Sequence, residues 1–519
     1  MLPRSKPPGP GAAPRATRRR TSGVVAVLAG VAATVATLAP PALAAPPDGA
    51  TPARGGTVPA TAVDWHPCPG ENDAQCGTLS VPVDWDHPGG PTFELALART
   101  VATDPAARVG TLFFGPGGPG DSGVERIVDG IGRFGPELRE RFDIVSFDPR
   151  GVGRSSPVRC SAELLARRPA PVLTSQADFD ATVAYNRQLR ADCRVRTGPV
   201  FDHADTSSMA RDVDAVRAAL GEPKLTYHGS SYGTLLGQRY AELFPHRVRA
   251  MVLESVMDHS LGTRDFLNTS TAAAQDSFDA FVDWCDRTES CALHGRDVRA
   301  TWAELLARAG RGEVPDPKNP AATLTPYALS GFLAPRALYD PDYADLAQTI
   351  AALSAPTSGP ASTAPTGDRT RAEQPTRVNP LAIACRDWHL PIRDYREYAA
   401  QVREMARIGT DLPYPQALAV VESCLGSPPV EHPQHRLRVD TDRPLLLLNS
   451  VHDPATGHDW ATGVARQLGR HGVLLTYEGA GHGVYSATAC TRSTVDRYLV
   501  DLVVPARGAS CPAAAEPGV

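Results

Sequence analysis

Gly229-Ser230-Ser231-Tyr232-Gly233 is a G-x-S-x-G pentapeptide set between a strand-like run and a helix-like one. Lys224-Leu225-Thr226-Tyr227-His228 before it is short, β-branched and aromatic. After it, Leu235, Leu236, Tyr240 and Leu243 recur at helical spacing until Pro245 ends the pattern. A strand that passes into a helix through so few residues leaves no room for side chains two places either side of the serine. Glycines meet that need, and the Ser231 hydroxyl is pushed out at the helix N-terminus as a nucleophile elbow. Ser230 is out of register for that role.

A nucleophile of this kind needs amide donors for the developing oxyanion. Val109 to Phe114 reads as a buried strand and runs into Gly115-Pro116-Gly117-Gly118-Pro119-Gly120-Asp121-Ser122-Gly123. Two prolines make this a stiff turn, and Gly117 and Gly118 let backbone approach a substrate carbonyl. Pro119 has no N–H, so Gly118 is the better donor, and the amide after the nucleophile, Tyr232, is the second. Acid and base should follow in the order Ser…Asp…His. The apolar strand Pro444 to Asn449 is followed by Asp453, and a later strand, Gly472 to Tyr477, runs into Gly481-His482-Gly483. His482 is the expected base and Asp453 the expected acid. Asp459 is the main competitor for the acid and Asp258 a remote one. His228, His452 and His458 read as structural or exposed.

Phe114 to Gly123, Asp148-Pro149-Arg150-Gly151, Gly229 to Thr234 and His452-Asp453-Pro454-Ala455-Thr456 together resemble the secreted tripeptidyl aminopeptidases. These are α/β-hydrolase serine peptidases related to prolyl aminopeptidases, with a TAP-like C-terminal region. The resemblance runs from about Trp65 to Cys511 and implies Ser231, Asp453 and His482 as the triad. It has two departures: Asp121 stands where a glycine is expected, and Glu254 where an aspartate is usual. Because the family includes members better described as esterases, both bear on substrate preference.

Six basic residues and no acid precede an apolar run from about Val24 to Leu38, and Ala42-Leu43-Ala44 fits the A-x-A cleavage rule. Residues 1–44 are therefore expected to be a signal peptide cleaved after Ala44, with Arg18-Arg19 or Arg19-Arg20 as a candidate twin-arginine signal. The run is too short and Ala-rich for a membrane anchor. Without these residues the formal charge moves from −5 to about −11, which offers no basic stripe to nucleic acid. Ten cysteines in a secreted chain imply five disulfides. Spacing leaves the connectivity open, with neighbouring pairs sterically simplest: Cys68–Cys76, Cys160–Cys193, Cys285–Cys291, Cys385–Cys424 and Cys490–Cys511. No C-x₂-C spacing suggests a metal site, and the chemistry requires no metal or organic cofactor.

Strands alternating with helices over 45–257 and again over 440–519 imply a mostly parallel sheet flanked by helices. Residues 258–439 read as an inserted, mainly helical cap, with Phe278, Phe281, Trp284 and Cys285 on one core stripe and a disordered, Pro/Ser/Thr/Gly-rich loop at about 355–377. The expected activity is a secreted aminopeptidase releasing short, tripeptidyl-type pieces from free N-termini through an acyl-enzyme. The alternatives are a carboxylesterase or lipase with the same triad, acting on a small ester, and a non-catalytic binding protein on a hydrolase scaffold. An exopeptidase must read the substrate's α-amino group. If Cys385 and Cys424 are bridged, Asp387 and Glu422, each two residues from one of them, are the candidate carboxylates for that task, the alternative being a pair of solvated surface acids.

Overall fold

The computed structural model describes residues 62–70, 73–355 and 376–514. The expected signal peptide and nearly all of the expected 355–377 loop lie outside these residues. Ten strands form one sheet: β1 (His66–Pro67), β2 (Gln75–Pro82), β3 (Thr92–Thr100), β4 (Gly110–Gly115), β5 (Phe142–Phe147), β6 (Leu225–Ser230), β7 (Val248–Glu254), β8 (Leu445–His452), β9 (Gly472–Ala480) and β10 (Ser510–Cys511). Their order is β1-β2-β3-β5-β4-β6-β7-β8-β9-β10. Pairing is antiparallel from β1 through β5 and parallel from β5 to β10.

The apolar run at β8 shows why the parallel part is buried on both faces. Leu445 and Leu447 pack with Phe113, Tyr227 and Met251 on one side. Leu446 and Leu448 pack with Leu112, Phe114 and Val252 on the other. A strand covered by helices on both faces has no polar side to show, so its sequence is continuous rather than alternating. Truncating one of these leucines to alanine costs about 2–5 kcal/mol.

Register brings the loops of interest to one edge. Gly115 pairs with Gly229 and Ser230 with Glu254, so the glycine-rich loop, the elbow and the end of β7 lie level with one another. His452 pairs with Ala480, which carries the segments holding Asp453 and His482 to the same edge. That edge is the carboxyl end of the parallel strands, where open α/β sheets place their sites.

The Asp148-Pro149-Arg150-Gly151 motif is structural. Arg150 is fully buried and grips both carboxylate oxygens of Asp212 at 2.6 and 2.7 Å, while donating to the carbonyls of Pro82, Val83 and His203. It ties the end of β2 to the helix Thr206–Ala219. Asp148 accepts from the Ser122 hydroxyl and from the Val124 and Arg154 amides, fixing the turn after the glycine loop.

Between β7 and β8 the chain is mostly helical, with Phe278, Phe281, Trp284 and Cys285 buried together with Trp302. Two short antiparallel pairings interrupt it. One joins Pro315–Asp316 to Asn319–Thr323, and the other pairs Thr376–Val378 with Arg159–Ser161. Thr376 and Arg377 therefore belong to a strand and not to the loop their composition suggested. The early segment they pair with is fixed by the Cys160–Cys193 bridge. All five neighbouring cysteine pairs are bridged. Among the described residues, no helix is long and apolar enough to cross a membrane.

Candidate active site

Ser231 sits between β6 and the helix Tyr232–Leu243 with φ 55° and ψ −122°, a backbone conformation unfavourable for a residue with a Cβ. Its amide donates to the Glu254 carbonyl at 2.9 Å, and the Tyr227 hydroxyl caps the Gly233 carbonyl at 2.6 Å. A Cβ at Gly229 would stand 2.5 Å from the Gly233 carbonyl oxygen, and one at Gly233 would stand 2.2 Å from that of Gly115. Both glycines are thus demanded by close backbone approach.

Gly117 and Gly118 lie beside the elbow and line the same cavity as Ser231. A Cβ at Gly117 would be 3.1 Å from Ser231 Cβ. Tyr232 is the first residue of its helix, so its amide has no intrahelical acceptor and is free for another oxygen.

Asp453 and His482 are brought together from two loops. His482 Nδ1 lies 3.0 Å from both carboxylate oxygens of Asp453. Asp453 is 1% exposed and is held by the Ala455 and Thr456 amides and the Thr456 hydroxyl, each at 2.9 Å. Thr456, the last residue of the Asp-Pro-Ala-Thr stretch, thereby fixes the carboxylate that faces the imidazole. Burial opposes protonation of His482, but the Asp453 charge and hydrogen bond outweigh it, and Glu254 and Asp121 add to them. The net effect holds the imidazole above its ordinary range. Asp459 is exposed in the first turn of the next helix, and Asp258 bonds Ser260 and Gln467. Neither approaches His482 as Asp453 does.

Tyr339, which no local pattern marked, completes the surroundings. The Tyr339 ring packs 4.6 Å from the His482 ring, and its carbonyl accepts the His482 amide at 2.6 Å. His228 is buried against Glu254, whereas His452 bonds Asp276 at 2.8 Å and His458 reaches Thr476 at 3.1 Å.

Ser231 and His482 open onto a cavity of about 1490 Å³ between the sheet edge and the helical insertion. Its wall carries seven carboxylates, Asp121, Asp276, Asp279, Asp283, Asp340, Asp342 and Glu478, against the three guanidiniums of Arg126, Arg133 and Arg287, so the space favours a cationic group. Asp387 and Glu422, expected to read a substrate amine, do not line it. The Cys385–Cys424 bridge forms, yet both acids turn into the interior. Asp387 accepts from the Thr206 amide and hydroxyl at 2.7 Å and from the Tyr232 hydroxyl at 2.5 Å. Proximity to a disulfide fixed their backbone but not the direction of their side chains. Burial pushes both carboxyls up to about 7. Among the described residues no group of three or more His, Cys, Asp or Glu side chains is arranged to hold a metal ion.

Residues 110–355 match a family model described as alpha/beta hydrolase fold, and residues 415–511 match one described as TAP-like protein. The chain is 32% identical to serine protease Hip1 of Mycobacterium tuberculosis, over 86% of this chain and 91% of that protein. It is also 32% identical to tripeptidyl aminopeptidase of Streptomyces lividans, over 90% of each. Carboxylesterase B of Mycobacterium tuberculosis is 31% identical over 91% of this chain and 95% of its own. With near-complete coverage, a hydrolase sheet and an elbow serine on the expected edge, the protein is a serine hydrolase, and the chain belongs to the α/β-hydrolase serine peptidases of the tripeptidyl aminopeptidase family.

Proposed function

We propose that the protein is a secreted aminopeptidase that releases short peptides from free N-termini, with Ser231, His482 and Asp453 as its triad. The observation that carries this reading is the 3.0 Å contact of His482 Nδ1 with Asp453 on the cavity that also exposes Ser231. Because Nδ1 is engaged, Nε2 is the nitrogen that takes the Ser231 proton as the hydroxyl attacks the scissile carbonyl. The Gly118 and Tyr232 amides receive the oxyanion, and His482 returns the proton to the leaving amine. Water, deprotonated by the same imidazole, then hydrolyses the acyl-enzyme and frees the peptide.

Two observations support the aminopeptidase form over a general esterase. Relatives similar over most of the chain are named serine protease and tripeptidyl aminopeptidase. The carboxylate-rich wall also suits an α-ammonium group at the far end of a short acyl chain. Export fits five disulfides, which persist in oxidising compartments. The similarity to carboxylesterase B favours ester hydrolysis as the second reading.

Treatment with a fluorophosphonate followed by peptide mass mapping tests the site. The adduct should fall on Ser231, Ser230→Ala should label normally, and Ser231→Ala should not label. Labelling of Ser230, or of Ser231→Ala at the wild-type rate, would overturn the assignment.

A further inference from the structure

Behind the elbow lies a second buried acid for which the chemistry above has no use. Glu254 ends β7 and is fully buried. Its carboxylate accepts from His228 Nε2 at 3.0 Å, from the Arg133 guanidinium at 3.0 Å and from the Tyr485 amide at 2.5 Å. His228 Nδ1 is buried with no hydrogen-bond partner, so the ring donates from Nε2. Phe114, Phe134 and Tyr485 stand edge-on around that imidazole.

The backbone of the same residue serves the other side of the site. The Glu254 carbonyl accepts the Ser231 amide at 2.9 Å. Ser255, at φ 57°, turns its hydroxyl onto the Gly483 amide at 2.8 Å. Two consecutive residues thus grip the elbow on one side and the loop Gly483–Tyr485, immediately after His482, on the other. A left-handed backbone at a residue with a Cβ is strain of the kind that sites retain.

We propose that Glu254 is a positioning residue that locks the His482 loop to the nucleophile elbow and lends its buried negative charge to the imidazolium formed during turnover. This inference rests on the triad reading given above. Several groups face the pair. Asp453, Asp121 and Tyr339 surround His482, and Arg133, His228 and Tyr485 surround Glu254. A Cβ at Gly483 would lie 4.0 Å from Glu254 Oε1, so the carboxylate is close beneath the loop. Burial opposes ionisation of Glu254, but His228, Arg133 and the Tyr485 amide outweigh it and draw the carboxyl down to about 2, leaving it charged throughout the working range.

The test is the acid limb of kcat/KM against pH, measured on a p-nitrophenyl ester, whose acyl group does not titrate in the window. Glu254→Gln removes a negative charge near His482, so the limb should move to lower pH by roughly half a unit. The same variant should lose at least ~10-fold in kcat with KM within ~3-fold, because the imidazole is misplaced while substrate contacts remain. Arg133→Gln removes the compensating positive charge and should move the limb the opposite way. Opposite shifts are a result that a merely structural role would not produce. Should Glu254→Gln fail to fold, Arg133→Gln decides alone: an upward shift supports the proposal, and no shift or a downward one overturns it. With both variants folded, limbs that stay put or move together overturn it as well. Ser231→Ala is assayed alongside. Activity retained there would remove the triad reading itself, whereas an inactive Ser231→Ala with unmoved limbs would remove only the role of Glu254.

Discussion

The carboxyl edge of the sheet and the helical insertion above it hold their polar groups by different means. At the sheet edge each candidate side chain leaves a strand end through a turn of a few residues, and backbone pins it. Ser231 hangs from Glu254, the His482 segment from Tyr339 and Ser255, and Asp453 from its own next two amides. In the insertion, carboxylates reach the cavity according to how long helices dock. Asp276, Asp279 and Asp283 lie along one helix, Thr263–Arg287, and line the wall, whereas Asp387 and Glu422 point inward. Short-range geometry fixes position at the edge, and long-range packing fixes it in the insertion. Chemistry should therefore be brittle at the edge and selectivity adjustable above it.

The largest expected effect is at the edge. Ser231→Ala should lower kcat by ~10⁴ to 10⁶ with the near-UV circular dichroism unchanged, and residual turnover near wild type would break the contrast. Asp453→Asn should follow with ~10³ to 10⁴ through the wrong imidazole tautomer, whereas Asp459→Asn should stay close to wild type in the same assay. A raised His482 pKa places the acid limb of kcat/KM above the ordinary ~6.5 of histidine, so activity falls as pH drops through it. A limb centred on carboxylate values would contradict that.

Effects in the insertion should be smaller and confined to binding. Asp283→Asn or Asp340→Asn should raise KM for free-amine peptides by ~3- to 30-fold with kcat little changed, each removing one carboxylate from a shared wall. Ester hydrolysis should be untouched. The smallest effect concerns stability alone. Glu422 has its folded pKa raised to about 7 by burial, so its contribution is present at acidic pH and lost as pH rises through that value. Glu422→Gln should therefore leave Tm unchanged near pH 4 and raise it by a few degrees near pH 8. An equal change at both pH values would show that the carboxyl titrates normally.

The same contrast explains what the residues disclosed in one dimension. The strands read from apolar and β-branched runs at Val109 to Phe114, Lys224 to His228, Pro444 to Asn449 and Gly472 to Tyr477 match β4, β6, β8 and β9 to within a few residues, because a strand buried on both faces leaves few alternatives. The elbow and the His482 turn were legible because sharp backbone reversal demands glycine within two residues. Gln75–Pro82 escaped notice, since a glycine and a terminal proline dilute its pattern, although it pairs with β3 along its whole length. Tyr339, 143 positions before His482 in the chain, carried no local mark. Glu254 was marked only as a departure from the family pattern, because its contacts come from β6, the Arg133 loop and the Tyr485 turn. For Asp387 and Glu422 the bridge that forms, Cys385–Cys424, is one of the sterically simplest pairs that spacing left open, but a Cα restraint says nothing of the direction a side chain takes from a helix.

The most direct test of the exopeptidase reading is the ratio of kcat/KM for one tripeptide p-nitroanilide with its N-terminus free and with it acetylated. An ammonium group paired in a carboxylate-lined cavity should be worth at least ~2 kcal/mol, so the free form should be preferred by ~30-fold or more. Equal cleavage of the two would contradict recognition of the amine and leave a serine hydrolase indifferent to the substrate's end.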